Sequence, residues 1–163
     1  MRGQHPNGNG FTLLEVAVTL VIAGVLFACG AVELRMLRTD FNLQFAADRL
    51  AADIRSVQQR ALGEKTPDYY IDFYTHIDTY RVKKWDTPFS RVITEVRLPQ
   101  GVDLYSTNFQ DNRLVINAKG LPPRGGTITL KSRETGRLKY VIVASITGRV
   151  RVSDRPPESW EES

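Results

Sequence analysis

The chain has 163 residues, a formal net charge of +4 and 42% apolar side chains. That leaves room for one ordinary domain plus an appendage and excludes a large multidomain enzyme. Its single cysteine, Cys29, excludes an intrachain disulfide, and the small charge surplus by itself selects neither a nucleic acid nor an acidic membrane as partner.

Residues 1–9 form a short polar leader in which Arg2 is the only Lys or Arg. Residues 11–32, FTLLEVAVTLVIAGVLFACGAV, carry one charge, Glu15. As a helix at about 1.5 Å per residue the stretch covers roughly 33 Å, which matches a bilayer's hydrocarbon core, so it is expected to cross a membrane. Glu15 is the anomaly, because an ionised side chain at a helix centre opposes insertion by roughly a few kcal/mol, less near the interface. It counts against a secretory signal cut near Ala28, against lipoprotein processing at Leu26-Phe27-Ala28-Cys29, and against a plain signal anchor. Arg2 precedes the segment while Arg35 and Arg38 follow it, so the positive-inside rule gives no clear orientation.

The residues ahead of Glu15 account for it. Gly10 removes side-chain bulk where a protease must approach the backbone, and it keeps a helix from running back into the leader; the plainer alternative is a turn glycine in NGNG. If the chain is cut after Gly10, as the resemblance described below implies, an ammonium is exposed on Phe11. A carboxylate about 4 Å from an ammonium, at an effective dielectric near ~20, is attracted by at most about 4 kcal/mol before desolvation is subtracted. In the assembly of processed subunits that the resemblance described below implies, Glu15 would be neutralised beside the mature N-terminus of a neighbour, which would favour processed chains. The alternative is that Glu15 points to head groups near the helix start.

From residue 33 to 62 the pattern is that of an amphipathic helix, with Leu34, Leu37, Phe41, Phe45, Leu50, Ile54, Val57 and Ala61 recurring at steps of mostly three and four. No proline interrupts 11–62; Gly63 is the expected C-cap and Pro67 follows. One helix of about 52 residues, roughly 78 Å, is expected, with Gly24 and Gly30 where neighbouring helices approach. Beyond it the period drops toward two, giving candidate strands at 69–75, 79–85, 91–98, 102–106, 113–117, 127–132, 138–146 and 149–153. The nearly all-apolar 140–146 is the best central strand. Each strand has one dry face, and the amphipathic helix is the obvious cover. The expected fold is therefore α+β: a long N-terminal helix, half membrane and half amphipathic, packed against an antiparallel sheet. The domain plan is leader 1–10, membrane helix 11–32, amphipathic helix 33–62, β-rich domain 63–153 and acidic flexible tail 154–163.

Catalysis has little to work with. His5 lies in the leader, His76 stands alone between strands, and no nucleophile motif, phosphate loop or metal-ligand spacing is present. A non-enzymatic protein without cofactor or metal is expected. One basic stretch invites a functional reading: between Arg113 and Arg151, nine Lys and Arg face Glu134 alone. Arg149 and Arg151, about 6.7 Å apart on one strand face, are spaced to meet successive phosphates, with Arg137 and Lys139 nearby. The alternative is a solvated, charge-protected edge strand.

Gly10-Phe11-Thr12-Leu13-Leu14-Glu15, after a short polar leader and before an apolar helix, resembles the processing site of type IV prepilins and type II secretion pseudopilins. The stretch Ala47–Ala61 and the ending Ile146-Thr147-Gly148-Arg149-Val150-Arg151-Val152, with Gly125-Gly126-Thr127-Ile128-Thr129-Leu130 before it, are similar to minor pseudopilins of the GspH/FimT type. The resemblance implies cleavage by a membrane prepilin peptidase after Gly10, N-methylation of Phe11, and a mature fifth-position glutamate, Glu15. It further implies a single-pass membrane subunit with a cytoplasmic leader and an extracytoplasmic C-terminal domain. Its partners would be other pilin or pseudopilin subunits, an inner-membrane assembly platform and membrane lipid. In FimT-type pilins of DNA uptake a C-terminal Gly-Arg-x-Arg contacts DNA; Gly148-Arg149-Val150-Arg151 matches it, so a competence pilin is the alternative function. A lipoprotein or secreted β-domain released near Cys29 is the third.

Overall fold

The computed structural model describes residues 12–86 and 88–157, the side chains of 29–37 excepted. One helix, α1 (Leu13–Glu64), precedes eight strands: β1 (Tyr69–Tyr74), β2 (Thr79–Asp86), β3 (Phe89–Arg97), β4 (Val102–Thr107), β5 (Arg113–Ile116), β6 (Gly126–Ser132), β7 (Leu138–Val143) and β8 (Val150–Ser153). The chain divides into two compact units, Met1–Leu37 and Arg38–Ser163.

In the first unit Thr12 starts α1: its carbonyl accepts the Glu15 and Val16 N–H groups at 3.0 and 3.2 Å. Leu13, Leu14, Leu20, Val21, Leu26 and Phe27 are exposed. Among the described residues no helix is long and apolar enough to cross a membrane. The expected span 11–32 includes Phe11 and the side chains from Cys29 onward, which lie outside those residues.

The second unit holds two four-stranded antiparallel sheets rather than one, in the orders β3-β2-β1-β5 and β4-β6-β7-β8. After β3 the chain turns at Gly101, whose φ is +88°, into β4, which pairs with β6; β5 then returns to the edge of β1. Both sheets turn a dry face to α1. The core joins Leu43, Ala47, Leu50 and Ile54 of the helix to Ile71 and Leu114 of the first sheet and to Ile128, Leu130 and Val141 of the second. Every residue of this core lies at Leu43 or beyond, so 38–163 contains it whole. Tyr80 is fully buried, and its hydroxyl donates to Asp53 Oδ2 at 2.5 Å. Burial, then the facing carboxylate, push the phenol well above its ordinary pKa.

Three expectations need correction. Phe41 and Phe45 do not join the core; they are 71% and 59% exposed. Phe41 and Leu50 are nine residues apart, about 2.5 helical turns, and so stand on opposite sides. The packing row instead runs through Leu43, Ala46, Ala47 and Ala51, and the three alanines let both sheets close on the helix. Next, Gly63 is not the cap. The helix continues to Glu64, Lys65 takes the left-handed conformation at φ 52°, and Thr66 N–H closes onto the Ala61 carbonyl at 3.2 Å, the outer bond of a Schellman motif. Finally, the strand expected at 138–146 stops at Val143. Gly148 N–H bonds the Ala144 carbonyl at 3.0 Å to close a turn, and Ile146 on that turn is 83% exposed. β7 does lie inside its sheet, between β6 and β8.

The Thr127 hydroxyl on β6 is buried without a hydrogen-bond partner. Such an orphan costs about 1–3 kcal/mol, so Thr127→Val, which keeps the branched shape, is expected to stabilise the domain by about 1 kcal/mol in urea unfolding.

Candidate functional site

Two regions carry the residues singled out in the sequence. At the N-terminus, Gly10 and Phe11 lie outside the described residues, as does His5. Glu15 occupies the third position of α1, where its N–H donates to Thr12 Oγ1 at 3.2 Å. Thr12-Leu13-Leu14-Glu15 is thus the first half of a capping box, and a carboxylate in the first turn complements the helix dipole. That local role was missed by the sequence reading, although the Thr-x-x-Glu spacing announces it. Any test of Glu15 in assembly must separate its charge from its cap.

Four of the nine cations in the basic stretch 113–151 are paired with acids where it folds. Arg113 Nε bonds Asp72 at 2.6 Å and its guanidinium lies 4.6 Å from the Tyr70 ring centre. Arg133 pairs with Asp78, Arg137 with Asp40 at 2.5 Å, and Lys139 with Asp154 at 2.5 Å. Lys131 stands 5.0 Å over the Tyr105 ring. The acidic tail expected at 154–163 is therefore anchored at its first residue; 158–163 lies outside the described residues. β8 begins at Val150, so Arg149 precedes it and is exposed, while Arg151 is half-buried opposite Ile142. The four candidate phosphate-binding residues Arg137, Lys139, Arg149 and Arg151 are consequently not assembled as one free cationic strand face.

The structure places a different cation beside Arg149. The turn holding Lys119 is pinned by Asn117, whose Oδ1 accepts the Lys119 and Leu121 N–H groups at 2.9 and 3.0 Å. It ends at Gly120, φ +73°, where a Cβ would lie 2.8 Å from the Gln58 carbonyl oxygen of α1. Gly148, φ +64°, sits against the same turn: a Cβ there would lie 2.6 Å from Leu121 Cδ2 and 3.7 Å from the Gly120 carbonyl oxygen. Gln58 Nε2 donates to the Gly148 carbonyl at 2.7 Å and Arg55 Nη2 to that of Val150 at 2.8 Å. Two left-handed glycines thus bring two turns together on one helix, with exposed Lys119 and Arg149 each one residue from the junction. Neither forms an ion pair among the described residues. Sequence reasoning singled out Gly148 and Arg149 but counted Lys119 only as one of the nine cations of the stretch, because the Asn117-to-Gly120 turn had no strand partner to point to.

His76 is exposed on a 3-10 turn, its ring 6.2 Å from that of Tyr74 and edge-on to it. Among the described residues no group of three or more His, Cys, Asp or Glu is placed to hold a metal.

A long α1 under two antiparallel sheets is a pilin-like fold. The signature described as the prokaryotic N-terminal methylation motif matches residues 6–28. Among solved structures, the chain is similar to the minor pseudopilin EpsH of the Type 2 Secretion System of Vibrio cholerae. The TM-score is 0.58 at 10% identity, over 69% of this chain and 96% of that one. It is equally similar to the type IV minor pilin FimU of Pseudomonas aeruginosa, with a TM-score of 0.58 at 14% identity over 72% of this chain and 93% of that one. No curated protein matches the chain in sequence.

Proposed function

We propose that this chain is a minor pilin or pseudopilin: a structural, non-catalytic subunit of a pilus-like filament or type II secretion pseudopilus. A prepilin peptidase cuts it after Gly10, Phe11 is N-methylated, and 11–32 holds it in the cell membrane with the second unit outside the cytoplasm. The observation that carries this reading is the methylation motif at 6–28 on a chain whose second unit has the fold of minor pilins. The exposed Phe41 and Phe45 supply an apolar helix face for a neighbouring subunit's stem.

Mass spectrometry of the mature N-terminus tests it. Methyl-Phe11 is the expected species; lipidated Cys29, or a chain starting beyond residue 30, would sink the reading in favour of a lipoprotein or secreted domain. Assembly is tested with Glu15→Gln, which keeps a capping-box residue and removes only the charge. Its incorporation into filaments is expected to fall at least about tenfold, as loss of an ion pair worth about 1.4 kcal/mol would require. Incorporation at the parent's level refutes charge neutralisation.

A second reading, contact with DNA, is favoured by the exposed pair Lys119 and Arg149. Contacts to phosphate from two cations carry no base information, so binding is expected to be sequence-blind and to weaken steeply with salt.

A further inference from the structure

The strand edges of the second unit differ in what they leave open. β3 is broken by a register shift opposite Val82 and Lys83, and β4 by another between Leu104 and Ser106; such irregularities spoil an edge as a template for further pairing. On β8 the Val150 carbonyl is already taken by Arg55. β5 lies at an edge too, and pairs in unbroken register with β1 alone.

Opposed residues of an antiparallel pair alternately exchange two main-chain hydrogen bonds or none. Trp85 N–H donates to the Asp68 carbonyl at 2.7 Å, so Tyr70, two residues on, bonds Lys83 of β2 and leaves its partner on the other side, Val115, unbonded. Val115 therefore turns both its N–H and its C=O outward. The residues two before and two after it obey the same parity, and their outward N–H groups are already taken: that of Arg113 by the Gln110 carbonyl, that of Asn117 by the Leu121 carbonyl at 2.9 Å. Between two closed turns, one main-chain donor and one acceptor are left open among the described residues.

A cavity of about 330 Å³ adjoins Val115, lined also by Arg113, Phe109, Asp111, Pro123 and Arg124. Pro123 has no N–H to offer the Val115 carbonyl. Arg124 is exposed and forms no ion pair among the described residues, while Arg113 meets Asp72 through Nε. The lining thus carries two guanidinium groups against one carboxylate, Asp111.

We infer that β5 takes up an extended segment of a partner polypeptide, whose main chain pairs with Val115 and whose Asp or Glu side chain is held by Arg124. Main-chain bonds supply affinity in such strand addition, and the adjoining cavity selects the side chain. This docking is independent of the filament reading, which stands if the docking fails.

The probes are two end-blocked pentapeptides, Thr-Val-Glu-Val-Thr and Thr-Leu-Asp-Leu-Thr, titrated into residues 38–163 and read by NMR. Without peptide, the Val115 amide is expected to exchange with solvent much faster than those of Leu114 and Ile116, which bond β1. At least one peptide is expected to bind with a Kd of about 1 mM, shifting the resonances of 113–115 and Arg124 and slowing Val115 exchange. Replacing its acid by the amide, or Arg124→Ala in the protein, is expected to weaken binding about fivefold. N-methylation of its central acidic residue, or of the two apolar ones, blocks one edge of the peptide at a time, and one of the two is expected to cost at least about tenfold. No shift at Val115 with either peptide at about 5 mM overturns the proposal. So do equal binding by both N-methylated forms, undiminished binding by the amide form, and shifts confined to Lys119 and Arg149. Val115 protection that grows with protein concentration alone assigns the edge to a second copy and overturns the partner segment.

Discussion

Asp72→Ala is expected to destabilise the domain by about 3 kcal/mol at pH 7, read by urea unfolding of 38–163. Asp72 lies at the centre of β1 on the sheet face turned away from α1, and register aligns Glu95, Arg81, Asp72 and Arg113 across the four strands. The charges alternate along that row. Lys83 Nζ reaches Asp72 Oδ2 at 2.8 Å and Arg113 Nε reaches Oδ1 at 2.6 Å, with the Asp72 side chain only 10% exposed. Burial alone would raise this carboxyl; the hydrogen bonds from Arg113 and then Lys83 outweigh it and hold the pKa below the ordinary carboxylate value. Its contribution is therefore fully present above the unfolded pKa and is lost as pH falls through the lower folded value. The difference between parent and Asp72→Ala should be constant from pH 5 to 7 and shrink below about pH 4. Glu95→Ala on the same row removes the exposed end of the ladder, where the Glu95 side chain is 52% exposed, and is expected to cost about 0.5 kcal/mol or less. A loss for Asp72→Ala no larger than for Glu95→Ala would show that the buried carboxylate does not organise the sheet.

Gly120→Ala is expected to cost about 3 kcal/mol, and Gly136→Ala about 1. Both glycines are left-handed, at φ +73° and +70°, so both substitutions incur the roughly 1–2 kcal/mol penalty of that conformation. They differ in what the new methyl meets. At Gly136 there is open space, whereas at Gly120 the Gln58 carbonyl oxygen is 2.8 Å away, and helix backbone cannot yield as a side chain can. Relief requires the 117–121 turn to lift off α1, which also displaces Leu121 from Gly148. Equal costs at the two positions, measured in the same 38–163 background, would mean that this turn is not clamped to the helix.

Much of the fold was legible because its signals are local. Alternation and turn residues place all eight strands to within a few residues, and the long helix needs only an uninterrupted period and the absence of proline. What escaped was the division into two sheets, since the turn at Gly101 looks like any hairpin and only distant register decides that β4 joins β6. Phe41 and Phe45 were misplaced because large apolar residues outvoted alanines that in fact face the core. In the candidate site, Arg149 was readable from its glycine, but the loss of Arg137 and Lys139 to Asp40 and Asp154 was not. Those acids lie elsewhere in the sequence. Asp72 did leave a trace, as the one acid inside the aromatic run of β1, Tyr69–Tyr74.

The clamp on β8 also bears on how the protein comes to be made. Arg55 bonds the Val150 carbonyl across 95 residues of sequence, and Gln58 reaches Gly148 across 90. The helix is therefore translated 90 or more residues before the strand it grips. Loop-closure entropy makes such distant pairings slow to form, so throughout synthesis the greasy flank of the stem stands uncovered while the rest of the chain is being added. A chain in which β8 has yet to be added therefore exposes the apolar face of α1 and is prone to aggregate.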